Sequence, residues 1–324
     1  MSFIFSTHAL HPEAEAMLMA AGELRIASSP DPETLLGEGR GAEILIVRAP
    51  IPPAFFDDAP NLRAAIRHGA GLDMIPIDAA TRAGVLVANV PAVNAPTVAE
   101  HVFMVTLALL RQFRPMDRDL RTKGWTTGRA HSDRALDLGG RTIGIVGMGN
   151  VGKAIFRIAR HGFGMDVVAN SRSPDSLPEG ARYLTVDDLV ATADIVVLCC
   201  PLTPETTGLL NGKRIARMKP GAILVNVSRG PVLDDAALIA ALREGRIGGA
   251  ALDVFSTQPL PADHAYFGFD NVIVTPHLAG ITDESMMRMG TGAAGEAIRI
   301  LKGELPVNLR NPDVVEHYRR RFPA

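Results

Sequence analysis

The chain has 324 residues, more than one hydrophobic core usually supports, so the sequence predicts two domains. Hydrophobic residues make up 47% of the chain and charged residues 21%, which is typical of a packed globular protein and excludes intrinsic disorder. The formal net charge is -2, and without a basic excess a nucleic-acid partner is not expected.

The N-terminal segment predicts neither a signal peptide nor a membrane span. It has no charged region followed by an apolar stretch and a cleavage site, and no window approaches about 18 uninterrupted apolar residues. The two cysteines, Cys199 and Cys200, are neighbours in an apolar run that predicts a buried strand. Their side chains would point to opposite faces of that strand, which excludes a disulfide framework. We therefore expect a cytoplasmic protein with no membrane partner.

Short apolar runs alternate with helical patterns in the first hundred residues. The predicted strands are residues 3–6, 44–47, 63–67 and 85–88. A helix is predicted from about Pro12, and the alternation indicates a parallel α/β layout. A long apolar helix follows, in which Thr97 and Glu100 have the spacing of a capping box at the helix N-terminus. This helix is predicted to connect the two domains.

A second series of apolar runs is almost free of polar residues, as expected for strands covered by helices on both faces. These runs are residues 142–147, 167–170, 194–200, 222–227, 249–254 and 272–276. A helical pattern at about 282–302 would then return the chain to the first domain. The predicted fold class is α/β, with two Rossmann-like or flavodoxin-like domains built on parallel sheets. Residues 1–99 plus 289–324 would form a discontinuous substrate-binding domain, and residues 100–288 the dinucleotide-binding (Rossmann) domain.

A glycine motif lies between a predicted strand and a predicted helix. It consists of Gly147, Met148, Gly149, Asn150, Val151 and Gly152. Gly147 would permit the tight turn, Gly149 would let the backbone approach a pyrophosphate, and Gly152 would let helix and strand pack closely. The pyrophosphate would then lie at the helix N-terminus. The alternative is a glycine turn that binds no ligand.

The end of the next predicted strand indicates which dinucleotide binds. An acid at this place would bind the ribose 2′-hydroxyl of NAD, but the chain has Ser171, Arg172 and Ser173 after Asn170. Hydroxyl and guanidinium donors suit a 2′-phosphate, so the predicted cofactor is NADP. The alternative is that Arg172 is an ordinary surface residue and NAD is also used.

Three further segments follow predicted strands of the second domain, and together with the glycine motif they carry a resemblance. They are residues 226–230, 253–259 and 275–280, accompanied by residues 201–206, 67–73 and 98–101. This pattern closely resembles the D-isomer-specific 2-hydroxyacid dehydrogenase family, in particular its glyoxylate/hydroxypyruvate reductase-like branch. The resemblance covers almost the whole chain.

Elementary chemistry supports the catalytic roles that the resemblance implies. A 2-oxo acid needs a cation that holds its carboxylate and polarises its carbonyl, and Arg229 offers a permanently charged guanidinium. The carbonyl oxygen gains negative charge during hydride transfer, so a proton donor is needed, and His277 is suited to that role. Gln258 stands where most members of the family have a glutamate beside this histidine. A neutral amide orients the ring but supplies no charge.

Other predicted contacts involve backbone groups and cofactor-facing side chains. Substrate-binding residues are Gly69, Ala70, Gly71 and Asn94, the glycines being suited to present backbone N–H groups to a carboxylate. The resemblance implies that Asp253 binds the nicotinamide carboxamide. It also implies cofactor contacts at Cys200, Pro201, Thr206, Val227, Ser228 and Gly280.

The resemblance implies a homodimer that acts on a small 2-oxo or 2-hydroxy acid. The predicted cofactor, from residues 171–173, is NADP with NAD possible, and no metal is expected. Alternatives remain open at this stage. One is an NAD-dependent phosphoglycerate or formate dehydrogenase-like enzyme, since Gln258 and Asn94 also occur in the formate dehydrogenase branch. The other is a nucleotide-sensing protein like the corepressors that share this fold, because fold alone does not determine function.

Overall fold

The computed structural model describes residues 2–57 and 59–323. The strands in chain order are β1 (Phe3–Ser6), β2 (Glu23–Ile26), β3 (Ile44–Val47), β4 (Ala64–Arg67), β5 (Leu86–Asn89), β6 (Thr142–Val146), β7 (Asp166–Asn170), β8 (Ala181–Tyr183), β9 (Ile195–Leu198), β10 (Ile223–Asn226), β11 (Gly249–Leu252) and β12 (Val272–Val274). The α-helices are α1 (Pro12–Ala21), α2 (Pro32–Glu38), α3 (Ile77–Arg82), α4 (Ala95–Leu110), α5 (Phe113–Lys123), α6 (Trp125–Arg129), α7 (Asn150–Arg157), α8 (Val186–Thr192), α9 (Gly212–Ile215), α10 (Asp235–Arg243), α11 (Asp283–Leu301) and α12 (Val315–Arg321).

The chain divides into two compact units. Unit 1 runs up to Asn94 and resumes at Ile281, and unit 2 is Ala95–Gly280. The sequence had predicted the boundaries a few residues later, after residues 99 and 288. The difference arises because α4 lies entirely in unit 2 and α11 entirely in unit 1, so neither helix is divided.

Unit 1 contains a five-stranded parallel sheet in the order β2-β1-β3-β4-β5, which is a flavodoxin-like order. Every residue of β3 and β5 is buried, as expected for apolar strands covered on both faces, and the burial includes the polar Asn89 at the end of β5. Helix α11 packs with α1 on this sheet, and residues Ala293 to Tyr318 complete the core that begins at Ile4. The discontinuous unit is thus held together by a core shared between its two segments.

Unit 2 contains a seven-stranded parallel sheet in the order β12-β11-β10-β9-β6-β7-β8. Renumbered within the unit, this is the Rossmann order with one additional strand, β12, at its far edge. Strands β9, β10 and β11 are buried along their whole length. The predicted fold class, two parallel α/β domains, is confirmed.

Two local predictions are wrong. Helix α4 begins at Ala95, so Thr97 is buried in its first turn and does not cap it. Pro96 is accommodated there because the first-turn residues need no N–H donor. Strand β9 ends at Leu198, so the two cysteines follow the strand, where both are free thiols. In the part of the chain described, no helix is long and apolar enough to cross a membrane.

Candidate active site

All strands of the unit 2 sheet are parallel, so their carboxyl ends lie at one edge. The strand order reverses between β6 and β9, the place where open α/β sheets bind ligands. The predicted catalytic and cofactor-binding residues all follow strands at this edge. They are Gly147, Gly149, Asn150, Val151 and Gly152 after β6; Ser171, Arg172 and Ser173 after β7; Cys200, Pro201 and Thr206 after β9; Val227, Ser228 and Arg229 after β10; Asp253 and Gln258 after β11; and His277 and Gly280 after β12.

The glycine loop after β6 has one position that the protein leaves open. Gly147 has a φ of +104°, and a Cβ there would lie 2.7 Å from the backbone N of Cys200. A Cβ at Gly152 would lie 2.2 Å from the carbonyl oxygen of Gly147, so packing within the protein requires both glycines. A Cβ at Gly149 would meet nothing within 4 Å. This open position precedes the N-terminus of α7, and the loop therefore fits the pyrophosphate of a dinucleotide.

The first three residues after β7 offer an exposed cation and no carboxylate, and the acids of this loop, Asp175 and Glu179, come later. Arg172 is exposed, and the Ser171 hydroxyl accepts a hydrogen bond from the N–H of Ser173 at 3.2 Å. Glu205, from the loop after β9, is close enough to interact with Arg172. A hydrogen bond from Thr203 lowers the pKa of Glu205, and the positive charge of Arg172 lowers it further by a smaller amount. Glu205 and Arg172 are 33 residues apart, so no local pattern indicates that they interact.

The Arg229 loop is fixed by a buried asparagine whose role the sequence analysis missed. Asn226 Oδ1 accepts hydrogen bonds from Ser228 N at 3.0 Å and Ser228 Oγ at 2.8 Å. Its Nδ2 donates to the carbonyl of Arg229 at 3.2 Å. A Cβ at Gly230 would lie 2.0 Å from the carbonyl carbon of Phe255, so this loop lies directly against the one after β11. The signal available in the sequence was a polar residue, Asn226, at the end of an apolar run that predicts a buried strand.

The carboxylate of Asp253 holds the segment that carries His277. It is 3% exposed and accepts hydrogen bonds from Thr275 Oγ1 at 2.6 Å and the N–H groups of Leu278 and Ala279 at 2.8 and 2.9 Å. The carbonyl of Asp253 accepts from His277 N at 2.9 Å. Hydrogen bonds to a carboxylate are stronger than neutral ones, so this arrangement fixes the segment on both sides of His277.

His277 has a φ of +55°, a left-handed conformation that costs a non-glycine residue about 1–3 kcal/mol and is concentrated at functional sites. Its Nδ1 lies 3.2 Å from Gln258 Oε1, and Gln258 Nε2 donates to the carbonyl of Phe255 at 3.3 Å. Because the amide nitrogen must donate to that carbonyl, the amide oxygen faces the ring and accepts from Nδ1–H. The remaining ring nitrogen, Nε2, is then the one suited to exchange a proton with a substrate.

Residues outside the predicted set also support these loops. Asp235 accepts hydrogen bonds from Tyr266 Oη at 2.7 Å and Ser256 Oγ at 3.0 Å, which anchors the loop that carries Gln258, and burial raises the pKa of Tyr266. His101 on α4 lies 3.4 Å from Thr275 Oγ1, and burial lowers its pKa. These residues are far apart in the sequence, so no local pattern indicates their contacts.

The predicted substrate-binding residues lie in unit 1. Gly69 follows β4 with a φ of +124°, and its N–H donates to the carbonyl of Arg67 at 2.9 Å. The prediction that all three loop N–H groups are available to a ligand is therefore wrong for Gly69. The N–H groups of Ala70 and Gly71 have no hydrogen-bond acceptor within the described ranges. Asn94 lies in the turn before α4.

Comparison with known proteins identifies the family. The family model of the D-isomer specific 2-hydroxyacid dehydrogenase, NAD binding domain, matches residues 103–279. A glyoxylate reductase of Aeropyrum pernix is 36% identical over 97% of each chain. A D-3-phosphoglycerate dehydrogenase of Mycobacterium bovis is 39% identical over 91% of this chain, which spans 56% of that protein.

A solved structure is similar over nearly the whole chain. It is an NADPH-dependent glyoxylate/hydroxypyruvate reductase of Sinorhizobium meliloti, with a TM-score of 0.85, 26% identity and coverage of 96% of this chain and 98% of that one. The family match spans the strand-end loops with the glycine motif, Arg229 and His277. The chain belongs to the D-isomer specific 2-hydroxyacid dehydrogenase family, with a domain that binds a nicotinamide dinucleotide.

Proposed function

We propose that this enzyme reduces a small 2-oxo acid to the D-2-hydroxy acid with NADPH. The observation that carries the proposal is the hydrogen-bonded set of loops after β10, β11 and β12, which brings the Arg229 loop against the loop of Gln258 and holds His277 Nδ1 against the amide of Gln258. A glyoxylate reductase among the relatives supports a small 2-oxo acid as substrate.

Each catalytic residue has one task in this mechanism. Arg229 binds the substrate carboxylate and polarises the C2 carbonyl, because the N–H groups of a guanidinium can donate charge-assisted hydrogen bonds to a carboxylate oxygen and to the carbonyl oxygen together. When bound, the nicotinamide supplies a hydride to C2. His277 in its protonated form donates the proton from Nε2 to the carbonyl oxygen, so the C2=O bond becomes C2–OH. In the reverse direction, neutral His277 accepts that proton.

The cofactor preference is assigned from the loop after β7. Ser171, Arg172 and Ser173 supply donors for the 2′-phosphate of NADP, and no acid stands directly after β7, where one would bind a ribose 2′-hydroxyl. Gly149 and the N-terminus of α7 would receive the pyrophosphate. Asp253 has three protein donors, and a carboxylate accepts about four hydrogen bonds, so one position is left for the nicotinamide carboxamide.

A second candidate substrate class is larger 2-oxo acids of the phosphoglycerate dehydrogenase type, favoured by the similarity to the Mycobacterium bovis enzyme. The deciding experiment is a panel of initial rates with glyoxylate, hydroxypyruvate, pyruvate and 3-phosphohydroxypyruvate, each with NADPH and NADH. The proposal expects the highest kcat/KM with a short acid and NADPH. Preference for the phosphorylated acid with NADH would replace it by the second candidate, and no turnover of any acid would overturn it.

We also propose a homodimer in a reducing compartment. Five large apolar side chains between residues 104 and 136 are exposed to solvent, which is typical of a subunit interface. They are Met104 at 56%, Phe113 at 54%, Leu120 at 40%, Trp125 at 72% and Leu136 at 43%. Light scattering after gel filtration should give the mass of two chains, and Trp125→Arg should shift it toward one. The free thiols of Cys199 and Cys200 fit a reducing compartment.

A further inference from the structure

Three residues of unit 1, distant in the sequence, form a continuous hydrogen-bonded connection. Arg310 Nε donates to Asn89 Oδ1 at 2.7 Å, and Asn89 Nδ2 donates to the carbonyl of Ala70 at 2.7 Å. Asn89 is the last residue of β5 and is 4% exposed. The connection therefore runs from the C-terminal segment, through a buried side chain, to the loop that follows β4.

The chemistry of the two outer groups fixes the orientation of the amide between them. A guanidinium can only donate hydrogen bonds, so Asn89 must turn its oxygen toward Arg310. The carbonyl of Ala70 can only accept, so it requires the NH₂ group. Without Arg310 the amide would lose a charge-assisted partner that distinguishes its two ends.

The bond to the Ala70 carbonyl also determines what the loop presents on its other side. The adjacent N–H of Val90 donates to the carbonyl of Gly69 at 2.9 Å, so two successive carbonyls of the loop are held by the end of β5. The carbonyl of Ala70 and the N–H of Gly71 belong to the same planar peptide unit and point in opposite directions. Holding the carbonyl thus fixes the direction of an N–H group that has no acceptor among the described residues.

We propose that Asn89 and Arg310 are positioning residues that keep the N–H groups of the Ala70–Gly71 loop directed toward the carboxylate of the substrate. The proposal deepens the proposed function and rests on it for the identity of the ligand. It assigns to the C-terminal segment a part in substrate affinity, since Arg310 lies where that segment runs antiparallel beside β5.

The chain supplies a matched control next to Arg310. Asn311 is 5% exposed; its Oδ1 accepts from Val87 N at 2.8 Å, and its Nδ2 donates to Thr81 Oγ1 and the carbonyl of Val85. Asn311 anchors the same segment to the same strand but does not contact Asn89 or the loop. A variant at residue 311 therefore weakens the attachment of the segment without changing the orientation of the Asn89 amide.

The experiment compares Asn89→Asp, Arg310→Ala, Arg310→Lys and Asn311→Ala with the wild type. An aspartate at residue 89 still accepts from Arg310 but repels the carbonyl of Ala70. We expect Asn89→Asp to raise KM for the 2-oxo acid about tenfold, the effect of one lost hydrogen bond to a charged group, with kcat within about twofold. Arg310→Ala should also raise KM, and Arg310→Lys should return KM to the wild-type value. Asn311→Ala should lower Tm and leave KM unchanged.

A second measurement does not depend on turnover. Hydrogen–deuterium exchange of residues 67–75 should be faster in Asn89→Asp than in the wild type, and unchanged in Asn311→Ala. Equal KM and equal exchange in wild type and Asn89→Asp would overturn the inference. The inference would also be overturned if KM rose in proportion to the fall in Tm in all the variants, Asn311→Ala included, because that result indicates a structural role only. If the wild type turns over no 2-oxo acid, the proposed function fails, and the exchange data alone decide whether these residues position the loop.

Discussion

Two histidines occupy comparable places in the two sheets but meet opposite surroundings. His68 follows β4 in unit 1, and His277 follows β12 in unit 2. His68 is 3% exposed, and within the described ranges its Nε2 has no hydrogen-bond partner. Burial, together with the positive charges of Arg48 and Arg67, lowers its pKa to about 3. His277 is half-buried, and its Nδ1 is held by the amide oxygen of Gln258.

The difference separates a buried structural histidine from the histidine that the proposed function assigns to proton transfer. A buried imidazole beside two guanidinium groups stays neutral across the physiological range, so it cannot deliver a proton. The proposed function needs a histidine that exchanges a proton, and His277 is only half-buried and lies beside an uncharged amide. Each histidine follows a parallel strand and has a glycine three residues later, so these two features alone do not distinguish them. The surroundings supplied by the rest of each unit decide the role.

The largest effect is expected when the guanidinium of Arg229 is removed. Arg229→Ala should lower kcat/KM for 2-oxo acid reduction on the order of a hundredfold or more, because the substrate loses a charge-assisted bidentate contact. Cofactor affinity, measured by fluorescence titration of NADPH, should stay within about twofold, since the proposed mechanism places the guanidinium at the substrate and not at the cofactor. Arg243→Ala, an exposed arginine on α10, is the control. Wild-type rates for Arg229→Ala would remove the chemistry from this loop.

A smaller change is expected from the loop after β7. The double substitution Ser171→Asp and Arg172→Pro should reverse the cofactor preference from NADPH to NADH, with a change in the ratio of kcat/KM values of about tenfold to a hundredfold. Glu205→Gln should favour NADPH further, because a carboxylate that interacts with Arg172 is removed. Equal use of both cofactors by the wild type and the double variant would contradict the assignment.

The neutral histidine of unit 1 can be tested by stability. Because the pKa of His68 is lower in the folded chain than in the unfolded chain, the unfolded state binds more protons between about pH 3 and pH 6.5. The free energy of unfolding should therefore fall as pH drops below about 6.5, by at most about 1.4 kcal/mol per pH unit from this group. Urea unfolding of His68→Leu should lack this part of the pH dependence. The exposed His161→Gln should retain it, and identical pH slopes for wild type and His68→Leu would refute the expectation.

The smallest effect concerns the partner of His277. Gln258→Glu places a carboxylate where the amide oxygen lies, and a negative charge stabilises the protonated ring. In the proposed mechanism the protonated form donates in the reduction, so the pH at which kcat/KM falls should move upward by about one unit. Paired pH profiles, with a deuterium isotope effect from labelled NADPH to confirm that chemistry limits the rate, measure the shift. Superimposable profiles would show that residue 258 does not set the proton affinity of His277.

Sequence reasoning was most accurate where a strand is buried on both faces. The apolar runs at β3, β9 and β10 each mark a strand within a few residues, because such strands need uninterrupted apolar sequence. The edge strands β2 and β8 were missed, since they carry exposed polar residues such as Glu23 and Arg182. Their strand conformation depends on pairing with a neighbour, which no short sequence window contains.

Within the candidate site, sequence reasoning found the residues with distinctive chemistry and missed those that hold them. Arg229 and His277 follow predicted strands, so their placement at one edge was foreseeable. The Asp253 carboxylate binds the segment around His277, and Asn226 binds the carbonyl of Arg229. Both contacts depend on the three-dimensional arrangement of residues that no short sequence window contains. The hydrogen bond from the N–H of Gly69 to the carbonyl of Arg67 likewise depends on the conformation of the turn, which the presence of a glycine does not determine.

The shared core of unit 1 has a consequence for synthesis on the ribosome. Ile66 and Ala88 are packed against Ala293, Ala297 and other residues of the last segment, so the first strands cannot bury this face until that segment has been made. At about 5–20 residues per second, the interval between residues 94 and 318 lasts roughly 10–45 seconds. Unit 2, continuous in the chain, has all its residues before then. The nascent chain thus exposes an apolar sheet face for many seconds, the state in which a chaperone binds or aggregation begins.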